Sequence, residues 1–174
     1  MPRPHQAIGA ALLLAGCASL FPPQSAEEFR RTASRALLPH TGALEIDRPL
    51  REVAAAFDKK AAECLDLTAT ATIVTITNYQ EIIQTFVTTY KPRVVSTPER
   101  VELHVQWRTK GEINLSPAPE GGAYRLVADA YPVDAGRTRL QWFGPSAGED
   151  FLVSAVKGWA TGETMQCPDF TRNW

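Results

Sequence analysis

The segment 101–108 reads Val-Glu-Leu-His-Val-Gln-Trp-Arg, and apolar and polar residues alternate along it without a break. A period of two is typical of a β-strand with one buried face and one solvated face. The polar side of this strand carries Glu102, His104 and Gln106. We therefore expect a half-buried strand whose histidine, His104, faces the solvent.

The same period extends outward on both sides, from Leu67 to Phe143, where threonine, valine, isoleucine and aromatic residues are frequent. These residue types favour strands. Proline- and glycine-containing turns separate the strand patterns, as is typical of antiparallel hairpins. The predicted strands are 68–77, 82–91, 99–109, 123–131 and 137–143, with a further short strand at 43–46.

Amphipathic helices flank these strands. They are predicted from Ser25 to about residue 38, from Pro49 to about residue 65 and from Ser146 to Gly162. The first and third begin with a serine followed three residues later by a glutamate, which is the capping-box pattern. Cys64 lies on the apolar stripe of the second helix.

These elements predict an α+β domain with an antiparallel sheet of about five to six strands. One face of such a sheet must be covered, and the helices before and after it can form a second layer. The order of helix, strands and long C-terminal helix resembles that of helix-grip domains of the START-like type. The resemblance implies a sheet that curls round the last helix, and in that family a cavity at this place holds apolar ligands.

The first residues of the chain carry an export signal. Arg3 and the amino terminus are positive, residues 7–15 are almost entirely apolar, and small residues precede Cys17. This apolar segment is shorter than the roughly 20 residues that a membrane-spanning helix needs. The run Leu14-Ala15-Gly16-Cys17 resembles the bacterial lipobox, which lipoprotein signal peptidase recognises.

The lipobox resemblance implies that Cys17 becomes the first mature residue and carries fatty acyl chains that hold the domain to a membrane. An ordinary secretory signal beside a chance cysteine is the alternative. By analogy with lipoproteins of double-membrane bacteria, Ala18 favours the outer membrane, with the domain facing the periplasm. The predicted organisation is a signal peptide (1–16), a lipidated tether (17–25) and one domain (26–174).

Two cysteines remain once Cys17 is assigned to lipid, and disulfides persist outside the cytoplasm. A bridge between Cys64 and Cys167 would fasten the C-terminal segment to the second helix. Two separate buried thiols are the alternative. A metal site is not expected, because His40 and His104 show no ligand spacing to either cysteine.

Charge and composition exclude some functions. The precursor has 18 basic and 19 acidic residues, and removal of Arg3 with the signal leaves a net charge of −2. This balance provides no positive field, so we expect no nucleic-acid partner. The sequence indicates no cofactor.

No catalytic set stands out. Ser154 and Lys157 match an S-x-x-K element, but the other elements of penicillin-binding enzymes are absent, and we interpret the pair as the polar side of the last helix. We expect a non-enzymatic, membrane-anchored binding or accessory module with an envelope protein partner. The alternatives are a carrier or sensor of a small apolar ligand, whose cavity Trp107, Trp142 and Trp159 would border, and a hydrolase of cell-wall or lipid substrates.

Overall fold

The computed structural model of the chain describes residues 22–36, 40–77, 80–111, 117–144 and 150–170. They form an antiparallel sheet with the strand order β1-β6-β5-β4-β3-β2, so that β1 and β2 are its two edges. The α+β fold predicted from the sequence is confirmed. The strands are β1 (His40–Ile46), β2 (Thr68–Thr77), β3 (Gln80–Ser96), β4 (Val101–Thr109), β5 (Ala123–Pro132) and β6 (Thr138–Gly144).

Two helices cover one face of the sheet and give the predicted two-layer arrangement. They are α2 (Leu50–Lys60), which continues into a π-helical turn (Ala61–Leu65), and α3 (Asp150–Thr161). The apolar sides of the strands and helices meet in one core, whose largest fully buried side chains include Phe57, Trp159, Leu103, Leu126 and Leu140. This core results from the alternation that the sequence shows.

The first helix, α1 (Ala26–Arg35), lies on the opposite face of the sheet. Phe29 and Ala33 pack against Val127, whose neighbours in β5, Leu126 and Ala128, belong to the core under α2 and α3. Successive side chains of a strand point to opposite faces, so α1 must cover the second face. Part of the face predicted to be solvated is therefore buried.

The prediction that His104 lies on the surface is wrong. Its exposed fraction is 8%, and those of Glu102 and Gln106 on the same side of β4 are similar. The alternation along β4 does produce one apolar and one polar face. The polar face is covered by α1, which brings the charged side chain of Arg30 to it.

Strand β3 is longer at both ends than predicted. The strand is predicted to end at residue 91, yet it continues through Pro92 to Ser96. Pro92 pairs with Val105 of β4, while β2 begins only opposite Thr89. Beyond Thr89 the outer side of β3 has no pairing to β2, and a proline is tolerated on such a free strand edge.

The C-terminal segment is fastened at two points. Cys64, in the π-helical turn, and Cys167, after α3, form a disulfide with a Cα–Cα distance of 5.1 Å, as the sequence predicts. Arg48 Nη1 donates to the carbonyl oxygens of Trp159 and Ala160 at 3.1 and 2.9 Å, and so satisfies acceptors that a helix end leaves open. The predicted capping pair Ser146 and Glu149 lies outside the described residues.

Candidate functional site: an exposed arm beside the N-terminal segment

The β2–β3 hairpin extends beyond the rest of the sheet. Strand β4 pairs with β3 only from Thr88 onward, and the Lys110 N–H donates to the Val87 carbonyl oxygen at 2.8 Å at the last point of contact. Apart from this contact at Val87, residues 70–77 of β2 and 80–87 of β3 pair with each other and with no other described strand. We call this two-stranded ribbon the arm.

The outer half of the arm carries exposed aliphatic side chains. The exposed fractions are 52% for Val74, 77% for Ile76, 44% for Ile82 and 64% for Ile83. Val74 and Ile83 are directly opposite each other in the register, and antiparallel pairs share a face of the ribbon. Ile76 lies two residues from Val74 and so shares this face, while Ile82, opposite Thr75, lies on the other face of the ribbon. Both faces of the outer half thus expose large apolar side chains to solvent, and exposed apolar patches mark interaction sites.

The arm is held together by pairing within the hairpin. Threonine hydroxyls hydrogen-bond across it between Thr72 and Thr85 at 3.3 Å, and at its base between Thr68 and Thr89 at 3.0 Å. Such pairs stabilise antiparallel strands. A hairpin of two strands is nevertheless only marginally stable in water. A two-stranded hairpin becomes more stable when it packs against another surface.

The arm lacks the charges that usually protect an exposed strand. Glu81 is the one charged residue between Thr68 and Tyr90, and the β2–β3 register continues without a bulge. Proteins normally protect edge strands with lysine, proline or bulges, because a bare edge pairs with other chains. The other edge, β1, has seven residues and includes Glu45. The arm is the less protected of the two edges.

The first described residues, 22–24, lie at the same end of the domain as the arm. The Gln24 side-chain amide donates to the carbonyl oxygen of Pro22 at 2.8 Å and to that of Pro117 at 3.1 Å. Pro117 belongs to the loop that joins the end of β4 to the start of β5. The end of β4 is also where the arm departs from the sheet, so the arm and residues 22–24 share one end of the domain.

A small depression lies between the base of the arm and this loop. It has a volume of about 500 Å³ and is lined by Thr89, Lys91, Arg108, Glu120 and Gly121. Lys91 Nζ is 2.7 Å from the Asp66 carboxylate. The cationic side chains of the depression are therefore partly neutralised, and the depression offers no concentrated charge to a ligand.

The loop beside the depression is fixed in place. Gln106 Nε2 donates to the carbonyl oxygens of Glu120 and Gly122, both at 2.9 Å. Gly122 has φ +107°, and a Cβ there would lie 2.0 Å from the Trp107 carbonyl oxygen. Only glycine fits this position. The polar side of β4 thus positions the loop that holds Gln24.

A buried cluster of charged residues attaches α1 to the sheet. Arg30 Nε and Nη2 donate to the two carboxylate oxygens of Asp129 at 2.7 and 2.6 Å, and Nη2 also contacts Glu102. The second oxygen of Glu102 is 2.5 Å from Arg100 Nη2, and His104 Nε2 lies 2.9 Å from Glu102. The Asp129 side chain is 1% exposed. The geometry is that of a bidentate arginine–carboxylate pair.

The electrostatics of this cluster favour the ionised forms of both partners. Burial alone would lower the pKa of Arg30, but hydrogen bonds to Asp129 and Glu102 outweigh it and raise that pKa. Burial would likewise raise the pKa of Glu102, but hydrogen bonds from His104 and Arg30 bring it below its ordinary value of 4.5. The cluster therefore holds α1 on the sheet.

The three tryptophans proposed to border a ligand cavity have separate surroundings. Trp159 is 0% exposed, and its indole N–H donates to the Gln166 carbonyl oxygen at 2.9 Å. Trp107 and Trp142 are partly buried against the same core, but they pair with Ala123 and Ala128 of β5. Five residues of strand separate those two positions by about 16 Å. None of the three lines the depression at the base of the arm.

The other residues singled out in the sequence are also placed. Ser154 is exposed on α3, and Lys157 Nζ lies 5.0 Å from the centroid of the Trp142 ring, on the polar side of the helix as expected. His40 is the first residue of β1. Cys17 lies outside the described residues. In the part of the chain that the structure describes, no group of histidine, cysteine and acidic residues could hold a metal ion.

The sequence patterns predict neither the arm nor the charged cluster. The arm does have a sequence signal: 20 residues, from Thr68 to Val87, contain a single charge, Glu81. The cluster has none, because Arg30 is separated by 72 residues from Glu102 and by 99 from Asp129. Its contacts depend on where α1 packs, which periodicity along one element does not reveal.

No helix among the described residues is long and apolar enough to cross a membrane. No protein-family model, curated protein or solved structure matches the chain.

Proposed function

We propose that this chain is a bacterial lipoprotein of the cell envelope, anchored to a membrane through acyl chains on Cys17, and that it works as a non-enzymatic binding or accessory module. The observation that carries the proposal is the arm, whose four aliphatic side chains at the tip are exposed to solvent. The arm is the binding element of the module.

The N-terminal sequence supports the proposed location of the protein in the cell envelope. An apolar stretch ends in Leu14-Ala15-Gly16-Cys17, the pattern at which a lipoprotein signal peptide is removed. The disulfide between Cys64 and Cys167 is consistent with export, because disulfides persist in oxidising compartments. In a bacterium with two membranes, Ala18 favours anchoring at the outer membrane with the domain in the periplasm.

A binding role is supported by the way in which exposed and buried groups are distributed. The ionisable groups of the Arg30 cluster form hydrogen bonds and ion pairs with one another under α1. The exposed aliphatic groups, in contrast, project from the domain on a ribbon whose strands, among the described residues, pair with each other beyond the end of β4. Contact with a partner would remove this apolar surface from water.

Site-specific photo-crosslinking in the native envelope tests this role. A photoreactive amino acid at Ile83, at the tip of the arm, is compared with one at Val133, which is 42% exposed and lies in the turn after β5 at the opposite end of the sheet. We expect an adduct from position 83 and little from position 133. No adduct at position 83, or equal adducts at both positions, would contradict a binding function of the arm.

A further inference from the structure

The arm and the proposed anchor lie at one end of the domain, and their lengths can be compared. From Val87, where the sheet ends, to Gln80 at the tip there are seven residues, which span about 23 Å as a strand. From Pro22 back to Cys17 there are five residues, which span at most about 18 Å when fully extended. The anchor therefore cannot hold the domain farther from the membrane than the arm can reach.

Pro22 lies at the end of the sheet from which the arm departs. Gln24 connects Pro22 to Pro117, in the loop after β4, and the contact between Lys110 and Val87 shows that β4 ends where the arm begins. Both lengths are thus measured from the same end of the sheet. A lipid on Cys17 would bring that end, with the arm, to the membrane surface.

The chemistry of the tip is suited to the boundary between headgroups and acyl chains. Val74, Ile76, Ile82 and Ile83 are exposed, and Glu81 is the one charge nearby. Transfer of aliphatic side chains from water to the acyl boundary lowers the free energy of the system. The strand edges of a two-stranded ribbon keep unpaired backbone groups, which hydrocarbon does not satisfy. At headgroup depth the aliphatic side chains can leave water while the unpaired backbone groups still find polar partners.

We propose that the tip of the arm inserts into the headgroup region of the same membrane that holds the acyl chains of Cys17. This inference rests on the proposed lipid anchor. The arm is a second, non-covalent membrane contact, and it orients the domain with the β5–β6 turn pointing away from the lipid. Because the anchor keeps the tip near the surface, even a weak insertion is favoured by the high effective concentration.

The test uses the full mature chain, purified with its native N-terminus and reconstituted in vesicles of phosphatidylethanolamine and phosphatidylglycerol. An environment-sensitive fluorophore is attached to Ile83→Cys, and the control carries it at Val133→Cys. Flotation of the vesicles reports the anchor independently. Quenching by nitroxides placed on the headgroup or in the middle of the acyl chain reports the contact and its depth.

We expect both proteins to float, and we expect headgroup nitroxides to quench the fluorophore at position 83 but not at position 133. Protein that floats without quenching at position 83 would overturn the lipid contact and leave the proposed anchor standing. Energy transfer between position-83 labels of two chains, without quenching, would assign the arm to a second copy and also overturn the inference. A chain that does not float would overturn the anchor and, with it, this inference.

A second pair of variants separates insertion from an effect of the label. Ile76→Thr combined with Ile83→Thr keeps β-branched residues at the tip and removes the apolar surface, while Val133→Thr makes the same kind of change at the other end. With the label moved to Thr75→Cys, the double threonine variant should lose the quenching that the Val133→Thr variant retains. Equal quenching in both variants would contradict insertion through these isoleucines.

Discussion

Arg30 is the residue that connects the N-terminal helix to the sheet. It neutralises Asp129, whose side chain is 1% exposed, and contributes to the environment of Glu102. A buried carboxylate that loses its cation keeps the desolvation cost without the compensating attraction. The attachment of α1 therefore combines the charge of this guanidinium group with the apolar packing of Phe29 and Ala33 on Val127.

Replacement of Arg30 by methionine should destabilise the domain by about 3 kcal/mol, because it leaves two buried carboxylates with fewer partners. Arg31→Met is the matched control, since Arg31 is exposed on the same helix and its loss should change the free energy of unfolding by less than about 0.5 kcal/mol. Urea denaturation of both variants measures the difference. Equal stabilities would show that the cluster does not hold α1.

The stability of the domain should also depend on pH through Glu102. Its pKa in the folded protein lies below the ordinary value of 4.5, so the ionised form contributes stability above about pH 4.5. This contribution is lost as the pH falls through the folded pKa. Glu102→Gln should lower the melting temperature at neutral pH and flatten its decline below pH 4.5. An unchanged decline in that variant would exclude Glu102 as its source.

Gly42 shows how an edge strand accommodates a large residue. It pairs with Trp142 of β6, and a Cβ at Gly42 would lie 2.3 Å from Trp142 Cζ2. Gly42→Ala should therefore displace the indole and cost about 1–3 kcal/mol, the usual range for overpacking. Combination with Trp142→Leu should recover part of this loss in thermal denaturation. Equal stability of Gly42→Ala and wild type would show that the ring moves freely.

At the scale of elements, the sequence predicts the type of structure better than its extent. Periods of two and of three to four residues reflect local burial, and they identify the strands and helices of the core. They do not reveal where a neighbouring strand stops. The arm exists because β4 ends at Thr109 while β2 and β3 continue, and that difference belongs to the assembled sheet.

The burial of the polar face of β4 also depends on the assembled structure. The alternation around His104 indicates that β4 has one polar face, and a polar face is normally solvated. Here α1 packs over that face, and Arg30 provides the charge that its carboxylates require. Only the three-dimensional arrangement brings residue 30 to residues 102 and 129.

The arm should contribute little to the stability of the domain. Ile76 and Ile83 are 77% and 64% exposed, so their replacement by threonine removes little buried apolar area and keeps the β-branch that strands favour. The free energy of unfolding should change by less than about 0.5 kcal/mol. A loss of several kcal/mol in urea denaturation would show instead that the tip is part of the folded core.

At the scale of the whole molecule, the disulfide joins parts of the chain that are 103 residues apart. A bridge that closes a loop of this length can stabilise a domain by up to about 4.7 kcal/mol according to the chain-entropy model. Cys64→Ala combined with Cys167→Ala should therefore lower the free energy of unfolding by about 2–5 kcal/mol. A double variant as stable as the wild type would show that the bridge adds nothing to the noncovalent contacts of the C-terminal segment.

We propose that lipid on Cys17 holds this disulfide-fastened domain to a membrane, with its arm at the anchored end. Intact mass spectrometry of protein purified from its native envelope, with and without reduction and alkylation, tests the covalent part of this claim most directly. We expect a chain that lacks residues 1–16, carries acyl groups on Cys17, and exposes two further thiols only after reduction. An unacylated chain, or one whose thiols at residues 64 and 167 react without reduction, would contradict the account.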